Sequence, residues 1–227
     1  DWSPDGKSLA YLTRRTSDTA LIIAGPANQS PRVVYTTPIP DFTLDWVSSR
    51  SILLVSRPSG LAPSMVLRYD TGTQRADTLS VNGSRGVTIL PLPDGSGFLF
   101  SRASDRGEAG PLELFRFDGS RIAPLPVTTL PEKCIFSRDV KMLFCAVPKT
   151  PIPAPTPDEW YKGAVSFSDR LVSIDLATNE VVTLMDGDAD VDAISLFLSP
   201  DQKHLFFQDK KTGALWRFQL TAEKTES

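Results

Sequence analysis

The chain has 227 residues, 41% hydrophobic and 22% charged, which supplies enough apolar side chain for a core and an ordinary polar surface. A formal net charge of −3 lacks the basic surplus of a nucleic-acid surface, and no run of 18 apolar residues is present to cross a bilayer as a helix. Nineteen prolines spread along the whole length break long helices and suit short strands joined by turns.

The chain opens on Asp1-Trp2-Ser3-Pro4-Asp5-Gly6-Lys7, inside a repeat, as expected of a processed chain or a fragment. Pro4 presets φ at the first corner of a turn, Asp5 offers a side-chain acceptor, and Gly6 tolerates positive φ, so a tight hairpin is predicted. Weaker copies of the motif centre on Ser49, Asp94, Asp139 and Asp201, at steps of 44, 45, 45 and 62 residues. The last step is one period lengthened by an insertion. A turn and an apolar run repeating near 45 residues mark the blades of a propeller.

The runs after the turns, at 51–55, 97–100, 142–145 and 204–207, are apolar at successive positions. A strand apolar on both faces belongs to a sheet sandwiched between two neighbours. Alternating segments follow at 66–70, 114–117, 171–175 and 215–220, and outer strands are predicted near 75–81, 121–127 and 181–185; the first unit has 20–24 and 32–36. The predicted fold class is therefore all-β: a β-propeller of four-stranded antiparallel blades with about five repeats, near 1–37, 38–82, 83–127, 128–192 and 193–220, then a polar tail at 221–227. The first unit lacks an inner strand before Trp2 and the last an outer strand after Leu220, which leaves two readings: five repeats closing as a five-bladed ring, or, the one favoured, an incomplete ring of about six to eight blades with the rest outside this segment. Trp2, Trp46, Phe136 and Leu198 recur in register, and Trp2 and Trp46 are expected to pack between blades rather than form a ligand platform.

These residues resemble the TolB-type, WD-like propeller repeat, which runs Trp-Ser-Pro-Asp-Gly-Lys, then an apolar strand, then a strand closing on Asp. Trp2 to Lys7 match it fully, Pro93-Asp94-Gly95 and Ser199-Pro200-Asp201 in part, and the second and fourth copies keep only the frame. The resemblance covers essentially the whole chain. It implies scaffolds, periplasmic binding partners or accessory domains of peptidases, and an extracytoplasmic or periplasmic setting. Cys-Ala-Val-Pro and the insertion after it also resemble a bacterial subgroup of these propellers, which carries no implied activity.

Candidates for chemistry are few. The single His204 starts a strand, and no Gly-x-Ser-x-Gly elbow accompanies it, so no catalytic residue is assigned. Cys134 and Cys145 flank the fourth turn on one face of adjacent strands; a bridge across the hairpin and two buried thiols are both open, and a bridge would imply an oxidising compartment. Asp186, Asp188, Asp190 and Asp192 alternate as in a calcium loop, but Val191 and Phe197 stand where an EF-hand needs Gly and Glu, so an acidic interblade loop is expected and no metal or cofactor is assigned. Asn28 and Asn82 open Asn-x-Ser triplets, a pattern short turns match by chance.

The insertion at 148–163, with prolines at 148, 151, 153, 155 and 157, ends in Asp158-Glu159-Trp160-Tyr161. Alternating prolines stiffen a loop, and Trp and Tyr are favoured at hot spots, so Trp160, Tyr161, Glu159 and Asp158 are candidate partner contacts. The other reading has Trp160 and Tyr161 folding back to cap a blade. Together these features predict a non-catalytic scaffold or binding module that holds a protein or cell-envelope component through rim loops. The alternative is the accessory propeller of a prolyl-oligopeptidase-like serine peptidase whose catalytic domain lies outside this segment. A stand-alone enzyme would instead require carboxylates converging on the central channel.

Overall fold

The computed structural model describes residues 1–118, 120 and 124–220. Five antiparallel sheets follow one another along the chain. The first holds β1 (Leu9–Arg14), β2 (Thr19–Gly25) and β3 (Gln29–Thr37). The second holds β4 (Phe42–Ser48), β5 (Ser51–Ser56), β6 (Val66–Asp70) and β7 (Arg75–Thr78). The third holds β8 (Arg85–Pro91), β9 (Gly97–Ala103) and β10 (Glu113–Arg116), and the fourth β11 (Cys134–Phe136), β12 (Met142–Pro148), β13 (Asp169–Asp175) and β14 (Val181–Met185). The fifth holds β15 (Ala193–Leu198), β16 (His204–Asp209) and β17 (Leu215–Gln219). One helical turn, α1 (Asp158–Tyr161), lies in the insertion.

The doubly apolar strands explain how the sheets stack. In β5, Ile52 and Leu54 join a core with Ala10 and Leu21 of the first sheet, whereas Leu53 and Val55 join one with Val87, Phe98 and Phe100 of the third. In β9, Leu99 turns the other way, towards Leu143 and Cys145 of the fourth sheet. In β12, Phe144 and Ala146 face Leu205 and Phe207 of the fifth. Each middle sheet thus sends alternate residues into two cores, and every large aliphatic side chain so buried contributes about 1.5–3 kcal/mol. This is the packing of propeller blades.

Among the described residues no core joins the fifth sheet to the first. On those outward faces Val33 is 52% exposed and Phe197 47%. Trp2 shares this fate: it is 49% exposed, which corrects the expectation that it packs between blades, because no sheet covers its side of the first blade. Trp46 does pack, half-buried, against the core shared by the first two sheets.

Three sheets have three strands: the first and fifth, as the missing inner and outer strands of the end units lead one to expect, and the third, where four were expected. In the first, the inner strand is reduced to one bridge between Trp2 and Leu9. In the third, the outer position is held by two bonds, Leu125 N–H to the Leu112 carbonyl (2.8 Å) and Leu112 N–H to the Val127 carbonyl (3.1 Å). Pro124 and Pro126 lack N–H groups and cannot extend that ladder, while residues 121–123 of the outer strand anticipated there fall outside the described set. The anticipated tail at 221–227 also falls outside it.

The hairpin motifs lie at one end of the sheets. Ser3 Oγ donates to Asp5 Oδ1 (2.7 Å) and accepts from Ser8 N–H (2.9 Å), and Ser137 with Asp139 and Ser199 with Asp201 repeat the arrangement. Gly6 and Gly95 take the positive φ this turn needs, at 68° and 69°. Val140 and Gln202 adopt it at 57° and 56°, so the backbone keeps one turn where the sequence loses its glycine. At the opposite end lie the connections between second and third strands, including the insertion.

Candidate functional site

The insertion leaves β12 and returns to β13, whose ends are paired at Pro148 and Asp169. Between them it runs as a strap across that end of the molecule. Thr156 N–H donates to the Gly107 carbonyl of the third blade (2.8 Å). In the second blade, Ser59 Oγ and Gly60 N–H donate to the two oxygens of Asp158 at 2.8 and 2.7 Å. The strap lies so close that a Cβ on Gly60 or Gly86 would stand 2.6 Å from the Thr156 carbonyl oxygen; both positions require glycine.

A buried charge cluster anchors the other end. Lys133 is fully buried, with its ammonium 2.5 Å from Asp192 Oδ1 and 2.8 Å from Asp169 Oδ2, and it donates to the Ala193 carbonyl at 2.9 Å. The second Asp192 oxygen accepts from Trp160 Nε1 (2.9 Å) and Phe167 N–H (3.0 Å). The Trp160 and Phe167 rings stack with centroids 5.9 Å apart, and the Lys210 ammonium sits 3.9 Å from the Trp160 ring centre while donating to the Trp160 carbonyl. One cation thus faces two carboxylates. Burial pushes the Asp169 carboxyl above its usual range, Lys133 opposes that shift, and Asp192 adds to it.

The candidate contacts are therefore placed as follows. Trp160 is 5% exposed, its ring buried against Leu130 and Phe167 rather than offered to a partner. Tyr161 is half-buried and donates to Glu132. Asp158 holds the second blade, and Glu159 pairs with Lys162 at 2.9 Å. Cys134 and Cys145 are directly opposite in register and joined by a disulfide, with Cα atoms 4.1 Å apart. Three of the four aspartates in the acidic run pair with lysines: Asp186 with Lys149 (3.4 Å), Asp190 with Lys211 (2.6 Å) and Asp192 with Lys133. Among the described residues no group of three or more His, Cys, Asp or Glu side chains could hold a metal. His204 lies on β16, its ring 6.3 Å from Phe206 and away from the strap.

Beside the strap opens a cleft of 560 Å³ between the first two blades, bounded by Leu12, Arg14, Phe42, Arg57, Glu132 and Tyr161 among others. Arg14 approaches Asp41 at 3.8 Å in an exposed pair, and the Arg57 guanidinium has no ion-pair partner among the described residues. Glu132 is reached by solvent from the cleft, yet the surrounding protein raises its carboxyl above the usual range, against the Tyr161 hydrogen bond and the Lys133 and Lys210 charges. Burial and the adjacent Glu132 push the Tyr161 phenol far above its usual value, so it stays protonated and remains a donor. Glu132, Arg57 and Lys133 carry no sequence motif; the one visible signal is Pro131-Glu132-Lys133 immediately before an inner strand.

Neither a family model nor any curated protein matches the sequence. Among solved structures, TolB from Acinetobacter baumannii superposes with a TM-score of 0.61 at 17% identity, over 96% of this chain and 50% of that one. An oligogalacturonate lyase in complex with manganese gives 0.67 at 11% identity, over 97% of this chain and 64% of the lyase. The β-propeller domain of the Trilobed protease from Pyrococcus furiosus gives 0.60 at 14%, over 97% and 65%. The chain spans half the length of that TolB and less than two thirds of the other two. Five stacked antiparallel sheets and these superpositions make the chain a β-propeller, similar in fold to TolB.

Proposed function

We propose that the chain is a non-catalytic propeller module that holds a protein or cell-envelope partner on the rim crossed by the strap. The observation that carries this reading is the strap itself, an insertion bound to the second, third, fourth and fifth blades beside an open cleft of mixed polarity. Such a surface needs little ordering when a partner arrives, which lowers the entropic cost of association. The partner would meet the cleft and the exposed strap residues Pro151, Pro153 and Lys162. The Cys134–Cys145 disulfide favours an oxidising, extracytoplasmic setting.

The test is site-specific photo-crosslinking in cells, with p-benzoylphenylalanine placed at Lys162 on the strap or at Lys7 on the opposite rim. An adduct of defined mass from position 162 alone supports the reading; equal adducts from both sites, or one from position 7 alone, sinks it. A second reading, the accessory propeller of a prolyl-oligopeptidase-like peptidase, draws on the likeness to the propeller of the Trilobed protease. In that case the crosslink at 162 would return a hydrolase domain.

A further inference from the structure

A smaller cavity of 200 Å³ lies beneath the strap between the second and third blades. It shares Thr43, Pro58, Glu132 and Tyr161 with the cleft and forms its inner extension. Val55, Val87 and Ile89 give it an apolar lining, and Asp45 and Glu132 give it two carboxylates. No cationic side chain lines it, whereas the outer cleft carries Arg14 and Arg57. Drug-sized ligands occupy pockets of roughly 300–1,000 Å³, so this volume suits a single side chain.

Asp45 is the unusual member. It stands half-buried on the inner strand β4, and among the described residues its carboxylate accepts no hydrogen bond and forms no ion pair. The lysines nearest Glu132 are engaged elsewhere: Lys133 with Asp169 and Asp192, Lys210 with the Trp160 carbonyl. A half-buried carboxylate without a partner carries a desolvation cost that an incoming cation would offset.

We propose that this cavity is the subsite for a lysine side chain of the protein partner, its methylenes against Val55, Val87 and Ile89 and its ammonium between Asp45 and Glu132. The inference rests on the rim reading above and names the chemistry the partner presents there. An ammonium suits two carboxylates from different blades, because its three donors rotate freely, whereas a planar guanidinium favours one carboxylate held edge-on. The apolar lining matches the aliphatic stem of lysine.

The test titrates the full chain at neutral pH with Nα-acetyl-L-lysine methylamide, followed by amide chemical shifts. The uncharged probe Nα-acetyl-L-norleucine methylamide, n-butylammonium and an Asp45→Asn variant complete it, with Asp5→Asn on the opposite rim as control. Expected are shifts at Asp45, Val87 and Ile89 with the lysine probe, and a loss of about tenfold or more for norleucine and for Asp45→Asn, while Asp5→Asn binds as the parent does. Equal binding of both amides, or undiminished binding by Asp45→Asn, overturns the subsite. Tighter binding of butylammonium than of the lysine amide overturns the partner side chain as the source and leaves a free amine. If Lys162 crosslinks a partner that the lysine probe fails to displace, the subsite fails alone; if the probe binds and no crosslink forms, the rim reading fails.

Discussion

The two ends of the propeller are held by different physics. At the turn end the bonds that shape each hairpin span a few residues, Ser3 to Asp5, Ser137 to Asp139 and Ser199 to Asp201, while Arg138 with Gln202 and Pro200, and Asp1 with Trp46, link one turn to the next. At the strap end the bonds join residues 25 to 99 positions apart, as between Phe167 and Asp192 or Ser59 and Asp158. Loss at the turn end should therefore stay within one hairpin and its neighbour. The strap end is one assembly, in which Lys133, Asp192 and Trp160 depend on each other, and damage to one member should spread across four blades.

The largest break in that symmetry is expected from Lys133→Met. Removing the cation leaves Asp169 and Asp192 buried without compensation, a loss of about 3–5 kcal/mol in denaturant unfolding. A loss below about 1 kcal/mol would show that the cluster does not act as a unit. Trp160→Ala should follow closely, at about 3–5 kcal/mol, since it empties a buried aromatic site and frees an oxygen of Asp192. Combined with Lys133→Met it should cost less than the sum, and additive effects would separate the two residues. At the turn end the sign reverses: Val140→Gly should stabilise by about 1 kcal/mol, because a β-branched residue there holds a left-handed backbone. A destabilising result would mean that the contacts of the Val140 side chain with its core outweigh backbone relief.

How legible each end was in the sequence follows from the same difference. Asp5-Gly6 and Asp94-Gly95 announce their turns because the residues that make the turn are adjacent, and the 45-residue period announces the sheets because Ile52-Leu53-Leu54-Val55 must serve two cores. The strap was legible as an anomaly of length and proline content. Its docking was not, since nothing in Trp160-Tyr161 states that Asp192 and Glu132 will be their partners. Asp192 was visible only as one carboxylate in an alternating run, and Asp45 was not visible at all, because an inner-strand aspartate looks the same with or without a counterion.

The smallest expected effect concerns Asp45, whose carboxyl burial raises above the ordinary value. A raised native value means the folded chain holds that proton more tightly, so stability falls as pH rises from about 4 through the raised value. Asp45→Asn removes this dependence. It should match the parent below about pH 4 and exceed it modestly at neutral pH. The exposed turn carboxylates Asp5, Asp139 and Asp201 behave oppositely: their serine and backbone donors hold them below the usual range, so their contribution is present above about pH 4 and fades as pH falls through their lowered values.

Hydrogen exchange across residues 154–168 tests most directly whether the strap is a built part of the rim. The Thr156 and Phe167 amides, which donate to the Gly107 carbonyl and to Asp192, should exchange as slowly as β12 and β13 in the parent and fast in Lys133→Met, with β1 and β2 unchanged. Fast exchange of both amides in the parent, at the rate of the exposed 26–30 turn, would contradict the account.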